Sequence, residues 1–284
     1  CADFSTRRHG APALRAAMSA MVQRFALAPP ADKVRDGPAI ARMACPIWWR
    51  RKLRRQHGRA VESAAIVLGV VHKRSEIYCS NETLYRRQQQ NRRNAEALAN
   101  TTAVNELGQE FTLAELAAKG PANKAIKRAE LMTRIAGFER IAREVGHGGL
   151  FITITCPSRM HAHRTVGGWK VEPNPRYDKE STPRTAQQYL AKVWARIRAR
   201  LKYQDTPIYG FRIAEPQHDG TPHWHLLVFH APEDAEAIRS AITKHAMRDS
   251  PGEPGAHAHR CDFRAIDWAK GSAAGYIAKY VAKN

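Results

Sequence analysis

The sequence predicts an α+β fold in which helices back a central antiparallel sheet, preceded by a mainly helical and basic N-terminal region. Alanine, leucine, glutamine and arginine dominate the first half of the chain, which favours helices. After the glycine-rich residues 146–149, short β-branched or apolar runs alternate with helical segments. The order strand, helix, strand, strand, helix, strand, helix predicts an antiparallel sheet backed by helices. Three regions are predicted: a poorly defined arm (1–40), a basic helical region (41–147) and a sheet domain (148–284).

Three helices are predicted before the sheet domain. The first covers residues 13–27 and ends at the pair Pro29 and Pro30. The other two cover 113–118 and 122–145, on either side of a Gly-Pro pair at 120–121. An apolar stripe at helical spacing supports the last of them.

The sheet domain is predicted to contain four strands. The β-branched run 151–156 ends at Pro157, and the runs 208–215 and 222–229 flank a turn at Asp219 and Gly220. A fourth strand is expected over 259–266, with helices over 185–202, over 233–247 and from Ser272 onward. Residues 226–229 are all apolar, which is typical of a central strand covered on both faces.

The composition favours a nucleic-acid partner. The formal net charge is +20, and residues 1–100 hold 19 basic and 7 acidic side chains, a net charge of +12. Such an excess favours a polyanion. No basic amphipathic helix with an aromatic-rich apolar face indicates a membrane surface, and no apolar run is long enough to cross a bilayer.

The segment 48–59 is the most basic, with six basic residues in twelve. Phosphate contacts combined with aromatic stacking are typical of single-strand binders. The alternative is a solvated helix face with two buried tryptophans. The residues predicted to contact DNA are Trp48, Arg50, Arg51, Arg54 and Arg55.

Other features set the context of the chain. The five cysteines are scattered without a C-x-x-C pair, which indicates neither a zinc module nor a disulfide framework and fits a reducing cytoplasm. The first residues show no signal peptide, and the sequence has no P-loop. Because the chain starts without Met and stops inside a helical pattern, we expect it to be a piece of a longer protein.

Three His-x-His pairs occur, at 161/163, 223/225 and 257/259. The first pair follows Pro157 in a predicted loop, and the third follows a flexible segment over 250–255. Only His223 and His225 lie in an apolar strand, where their side chains point to the same side. Burying two imidazoles there costs free energy unless a metal or hydrogen bonds pair with them.

Glu215 ends the preceding predicted strand. If it lies across from His223, the cross-strand rule places Glu215, His223 and His225 on one face of the sheet. Two imidazoles and a carboxylate suit Mg²⁺ or Mn²⁺ and leave positions for substrate oxygens. The alternative is that Glu215 bonds only to nearby backbone or to Arg212.

Tyr276 and Tyr280 lie one turn apart on the predicted final helix. Aromatic residues at this spacing usually pack into a core, but this helix already has an apolar set in Ala273, Ile277 and Val281. Two phenols aimed at one point can act as successive nucleophiles. Lys279, one turn after Tyr276, would favour the phenolate or bind phosphate.

Segments 151–158, 215–225 and 276–280 together resemble the three motifs of the His-hydrophobe-His endonucleases with two tyrosines. The likeness is to the gene A replication initiators of temperate tailed phages in particular. Segments 94–98, 129–139 and 187–190 are also similar to that family. The resemblance runs from about residue 45 to the end, and members usually continue well past the tyrosine helix.

The resemblance implies that residues 148–284 form a C-terminally truncated His-hydrophobe-His endonuclease domain with an RRM or ferredoxin-like fold. It implies a site-specific single-strand endonuclease that initiates rolling-circle replication, with Mg²⁺ or Mn²⁺ on His223, His225 and Glu215. Tyr276 or Tyr280 would form a 5′-phosphotyrosine and release a 3′-OH.

The implied partners are single-stranded DNA at a replication origin and a host helicase, in the cytoplasm of the bacterial host cell, without a membrane. Two alternatives stay open. One is a two-tyrosine transposase or plasmid initiator of the same chemistry, and the other is a non-catalytic module that binds single-stranded DNA.

Overall fold

The computed structural model describes residues 10–121, 123–273, 275 and 277. The packing divides the chain after Ala65 into two compact units, which are described separately below. The region boundaries predicted after residues 40 and 147 stay predictions.

The first unit is helical. It contains α1 (Ala11–Arg24), α2 (Asp36–Ala44) and most of α3 (Pro46–Val67), which continues into the second unit. The predicted helix over 13–27 is therefore present, shifted by two to three residues. The core of this unit consists of buried side chains from α1, α2 and the linker between them: Leu14, Met18, Val22, Leu27, Ala39 and Met43.

The second unit begins with helices and a small hairpin. Helix α4 (Asn81–Ala99) starts where the Ser80 hydroxyl accepts a hydrogen bond from the Thr83 amide. Strands β1 (Thr102–Val104) and β2 (Glu110–Thr112) then form an antiparallel hairpin that the sequence did not predict. Helices α5 (Leu113–Lys119) and α6 (Lys124–Glu144) follow, within two residues of their predicted bounds.

In the described part of the chain, the main sheet consists of β3 (Gly148–Ile154), β6 (Tyr209–Pro216), β7 (Pro222–His230) and β8 (Cys261–Ala265). These four strands are antiparallel and lie in the order β6-β7-β3-β8. Helices α7 (Pro183–Tyr203), α8 (Ala235–Ala246) and the short α9 (Ala256–His259) complete the unit. The predicted α+β class is confirmed, and β7 is an interior strand as its apolar run predicted.

A second hairpin lies between β3 and α7. A short 3₁₀ turn (Ser158–Met160) leads into β4 (His163–Val166), which pairs with β5 (Lys170–Pro173). The sequence placed His163 in a loop, so that prediction was wrong. The strand was missed because the segment is short and polar and shows little alternation.

The sheet separates two cores. On the first face, even-numbered residues of β3 and β7 pack against α7 and α8, in a cluster that includes Ile152, Trp224 and Leu226. On the second face, odd-numbered residues such as Leu227 and Phe229 pack against α6. Ala273 and Ile277, both helical and fully buried, join this second cluster.

No helix in the described part of the chain is long and apolar enough to span a bilayer.

Candidate metal centre

The register of β6 and β7 determines the candidate site. Glu215 pairs directly with His223, and Ile213 pairs with His225. Because side chains alternate along a strand, Glu215, His223 and His225 project from the second face of the sheet. The cross-strand pairing predicted from the strand, turn and strand spacing is present.

The ligand atoms of these three residues converge. His223 Nε2 lies 2.7 Å from His225 Nε2, and Glu215 Oε2 lies 3.0 Å from His225 Nε2 and 3.4 Å from His223 Nε2. A divalent ion bound about 2.1 Å from each of two ligands at a right angle requires those ligands to be about 3.0 Å apart. The three separations bracket that value, so the donor set fits one divalent ion.

The neighbouring strand β3 orients one of the imidazoles. Thr153 pairs with His225 in the sheet, and its Oγ1 lies 3.0 Å from His225 Nδ1. The ring of Phe151 stacks on His225 at a centroid distance of 5.5 Å. When Thr153 Oγ1 accepts the Nδ1 proton of His225, the Nε2 atom is left free to bind a metal.

His223 is partly buried. Its Nδ1 atom is buried and has no hydrogen-bond partner among the described residues. Burial lowers the pKa of His223 below its ordinary value, and this effect outweighs the opposing influence of the Glu215 carboxylate. A lowered pKa keeps the imidazole neutral near pH 7, which is the form that a metal ligand needs.

The triad lines a cleft of about 710 Å³ in the second unit. Backbone and side chains from the 3₁₀ turn, the β4–β5 hairpin and the β6–β7 turn form its walls. The cleft is rich in histidine, and besides the triad it is lined by His72, His161, His163, His218 and His259. A triad on one side of an ion leaves its other coordination positions directed at this space.

A histidine and an aspartate in the cleft were missed by the sequence analysis as a pair. His161 Nδ1 lies 2.6 Å from Asp219 Oδ2, and the Thr221 amide donates to Asp219 Oδ1. Burial raises the pKa of Asp219, but the hydrogen bonds and charge of His161, together with Thr221, outweigh it, so that the pKa is lowered. The two residues are 58 positions apart, so no local pattern signals their contact.

Tyr276, Lys279 and Tyr280 lie outside the residues that the structure describes. In the first unit, the α3 arginines predicted to contact DNA are all exposed: Arg50, Arg51, Arg54 and Arg55.

Trp48 is half-buried against the core of the first unit, edge-to-face with Trp49, and the Lys52 ammonium lies 5.2 Å from the centre of its ring. This packing resembles the alternative of buried tryptophans more than an open stacking surface. The DNA-contacting role of the segment stays a prediction.

Comparison with known proteins shows which family the chain belongs to. The family model for the bacteriophage replication gene A protein matches residues 15–284. The replication gene A protein of Escherichia phage 186 is 42% identical over 250 residues, which cover 87% of this chain and 35% of that protein. The probable replication protein P12 of Pseudoalteromonas phage PM2 is 39% identical, covering 87% of this chain and 37% of that protein.

A third relative carries a more specific name. The probable replication endonuclease from a prophage-like region of Salmonella paratyphi A is 35% identical, with 87% of this chain and 30% of that protein covered. The chain spans about a third of the length of these relatives. No solved structure matches it significantly. The match over almost the whole chain shows that it belongs to the bacteriophage replication gene A protein family.

Proposed function

We propose that this chain carries the site-specific single-strand DNA endonuclease and strand transferase activity of a phage replication initiator. The observation that supports this most is the convergence of Glu215, His223 and His225 on one open point in a basic protein. The names of its relatives, replication proteins and probable replication endonucleases, agree with a role at DNA. The finer chemistry, a tyrosine transesterification in rolling-circle initiation, is our proposal.

The triad would hold Mg²⁺ or Mn²⁺. Bound there, the ion would polarise a non-bridging oxygen of the scissile phosphate and favour in-line attack. Thr153, by accepting the Nδ1 proton of His225, would keep Nε2 free for the ion, and Glu215 would supply the negative charge that two neutral imidazoles lack. The open side of the triad faces the cleft, where a DNA backbone can enter.

Tyr276 and Tyr280 are the proposed nucleophiles. A phenol oxygen attacks phosphorus and gives up its proton to solvent, while the bond from phosphorus to the 3′ oxygen breaks and that oxygen takes up a proton from solvent. The products are a 5′-phosphotyrosine and a free 3′-OH that can prime synthesis. Since one phosphoester replaces another, the second tyrosine can repeat the exchange without an external energy source.

The described start of the final helix supports this assignment. Ala273 and Ile277 are buried in the core on the second face of the sheet, the face from which the triad projects. Tyr276 directly precedes Ile277 in the sequence. A helix packed on the opposite face would have argued against the proposal.

A covalent adduct tests the proposal. The chain is incubated with Mn²⁺ and a pool of 3′-labelled single-stranded oligonucleotides of random sequence, then denatured and separated by gel electrophoresis. We expect a labelled band at the protein's position, with the DNA mapped by mass spectrometry to Tyr276 or Tyr280. Tyr276→Phe and Tyr280→Phe should each keep some adduct, and the double variant should form none.

Tyr203→Phe is the matched control, since Tyr203 is an 83% exposed tyrosine at the end of α7 and does not line the cleft. It should form adduct at the wild-type level. Binding of single-stranded DNA without any adduct, under conditions in which Mn²⁺ is bound, would leave the non-catalytic binding module as the better description.

The exposed arginines of α3 are the proposed DNA contact of the first unit. Replacing Arg50, Arg51, Arg54 and Arg55 with glutamine should weaken DNA binding and reduce its salt dependence. Each lost phosphate contact makes the plot of log binding constant against log salt concentration shallower, by about 0.7 for a single strand and 0.9 for a duplex. Fluorescence anisotropy between about 50 and 200 mM salt measures this slope. An unchanged slope would mean that the arginines do not contact DNA and that this segment has a structural role.

A further inference from the structure

The β4–β5 hairpin presents a tryptophan at its tip. Trp169 follows Gly167 and Gly168, both with positive φ, and its side chain is 66% exposed. A single exposed apolar side chain is common on protein surfaces and means little alone. The surroundings of this one, however, show three further features.

The first feature is that two side chains from outside the hairpin donate hydrogen bonds to the backbone of its tip. Lys73 Nζ donates to the Gly168 carbonyl at 2.8 Å, and Arg74 Nη1 donates to the Trp169 carbonyl at 2.8 Å. These donors lie 95 residues earlier in the chain. The backbone below the indole is therefore held by two charge-assisted hydrogen bonds, which present the ring at a defined position.

The second feature is the charge around the ring. Arg164 and Lys170 lie on the two strands of the hairpin and share one acidic partner, Glu172, at 3.4 and 2.7 Å. Together with Lys73 and Arg74 they make four basic side chains against one acidic side chain. The surface beside the indole is thus suited to a polyanion.

The third feature is continuity with the candidate metal centre. The cleft that contains the triad is also lined by three residues of the hairpin, Arg164, Thr165 and Val171, and by Lys73. A polynucleotide held at the triad therefore meets the basic side chains of Lys73 and Arg164 on the side of the cleft where the hairpin lies, and the tip of that hairpin carries Trp169.

We propose that Trp169 is a stacking platform for an unpaired base of the DNA strand that occupies the cleft, with Lys73, Arg74, Arg164 and Lys170 contacting its phosphates. This inference rests on the proposed function for the identity of the ligand as DNA. Every base has a π face, whereas a duplex exposes such a face only at its ends. The platform therefore selects for single strands without reading their sequence.

The test measures binding apart from cleavage. Binding of a fluorescein-labelled single strand by the full chain is followed by anisotropy in EDTA, for the wild type, Trp169→Ala and Trp169→Phe. Stacking of one base contributes about 1–3 kcal/mol by alanine substitution, so the alanine variant should bind roughly 5- to 150-fold more weakly. The phenylalanine variant should recover most of the affinity.

A base analogue locates the contact. In strands with one 2-aminopurine placed at successive positions, the wild type should quench the fluorescence most at one or two positions, and Trp169→Ala should not. Tyr203→Ala serves as the matched exposed aromatic and should bind like the wild type. Circular dichroism checks that each variant keeps the fold.

The outcomes separate the two proposals. If the wild type forms the tyrosine adduct but Trp169→Ala binds single strands with unchanged affinity and quenching, the platform is wrong and the nuclease proposal stands. If no adduct forms but Trp169→Ala loses affinity as described, the platform stands on a non-catalytic binding module. A wild type that does not bind single-stranded DNA overturns the platform.

Discussion

The two faces of the central sheet use the same strands for different purposes. On β7, Trp224, Leu226 and Val228 point into a core filled by α7 and α8. From the same strand, Leu227 and Phe229 enter the second core, while His223 and His225 lie at the end where that core stops. On β7 the first face is apolar from Trp224 to Val228, whereas the second face changes from apolar at Leu227 to polar at His225 and His223.

The comparison shows where polar side chains occupy positions that apolar side chains would fill with a gain in stability. His225 is only 5% exposed and stacked on Phe151, an environment that an apolar side chain would fill at lower cost. Trp224, between the two histidines, is 1% exposed and packs as a normal core residue. Polar side chains kept in a buried position beside a cleft are the signature expected of a functional site.

The largest expected effect is on the apolar face. Trp224→Ala removes a buried ring whose Nε1 donates to Gln187, and it should lower the free energy of unfolding by about 3–5 kcal/mol. His223→Ala, on the second face, should cost clearly less, because it removes a half-buried imidazole whose Nδ1 has no partner among the described residues. Urea denaturation of both variants measures the difference, and equal losses would remove the distinction between the faces.

Metal binding should stabilise the protein only through the triad on the second face of the sheet. Mn²⁺ at 100 times its dissociation constant should raise the free energy of unfolding by about 2.7 kcal/mol in the wild type. The same Mn²⁺ concentration should give no such gain in Glu215→Gln or His225→Ala, whereas a destabilised Trp224→Phe should still respond. Thermal unfolding with and without EDTA reports the effect, and a metal response kept in Glu215→Gln would remove Glu215 from the ligand set.

A smaller effect concerns acid stability. The folded-state pKa of Asp219 is lowered, so its contribution to stability is present above the unfolded value of about 3.9 and is lost as pH falls through the folded value. Asp219→Asn should be less stable than the wild type near pH 7 and should lose less stability on acidification below about pH 4. Unfolding midpoints between neutral and acid pH give both curves, and parallel curves would mean that this carboxylate does not titrate with folding.

The sequence predicted the site better than its surroundings. Strand and turn lengths around Asp219 determine which residues of β6 and β7 face each other, so the pairing of Glu215 with His223 follows from local spacing. The apolar run of 226–229 likewise signals an interior strand.

What the sequence missed depends on distant contacts. The β4–β5 hairpin is held by Lys73 and Arg74, and His161 meets Asp219 across 58 residues. Neither contact leaves a periodic signal in the chain. The exposed position of Trp169 could not be read from its neighbours either, because glycines at 167 and 168 are compatible with many turns.

The most direct test of the account is to locate a bound metal. Crystals of the chain soaked in Mn²⁺ should give an anomalous difference peak about 2.2 Å from His223 Nε2, His225 Nε2 and a Glu215 carboxylate oxygen, and crystals of His225→Ala should lose it. A peak elsewhere in the cleft, or no peak at this triad at saturating Mn²⁺, would contradict the claim that Glu215, His223 and His225 form a metal site on the second face of the sheet.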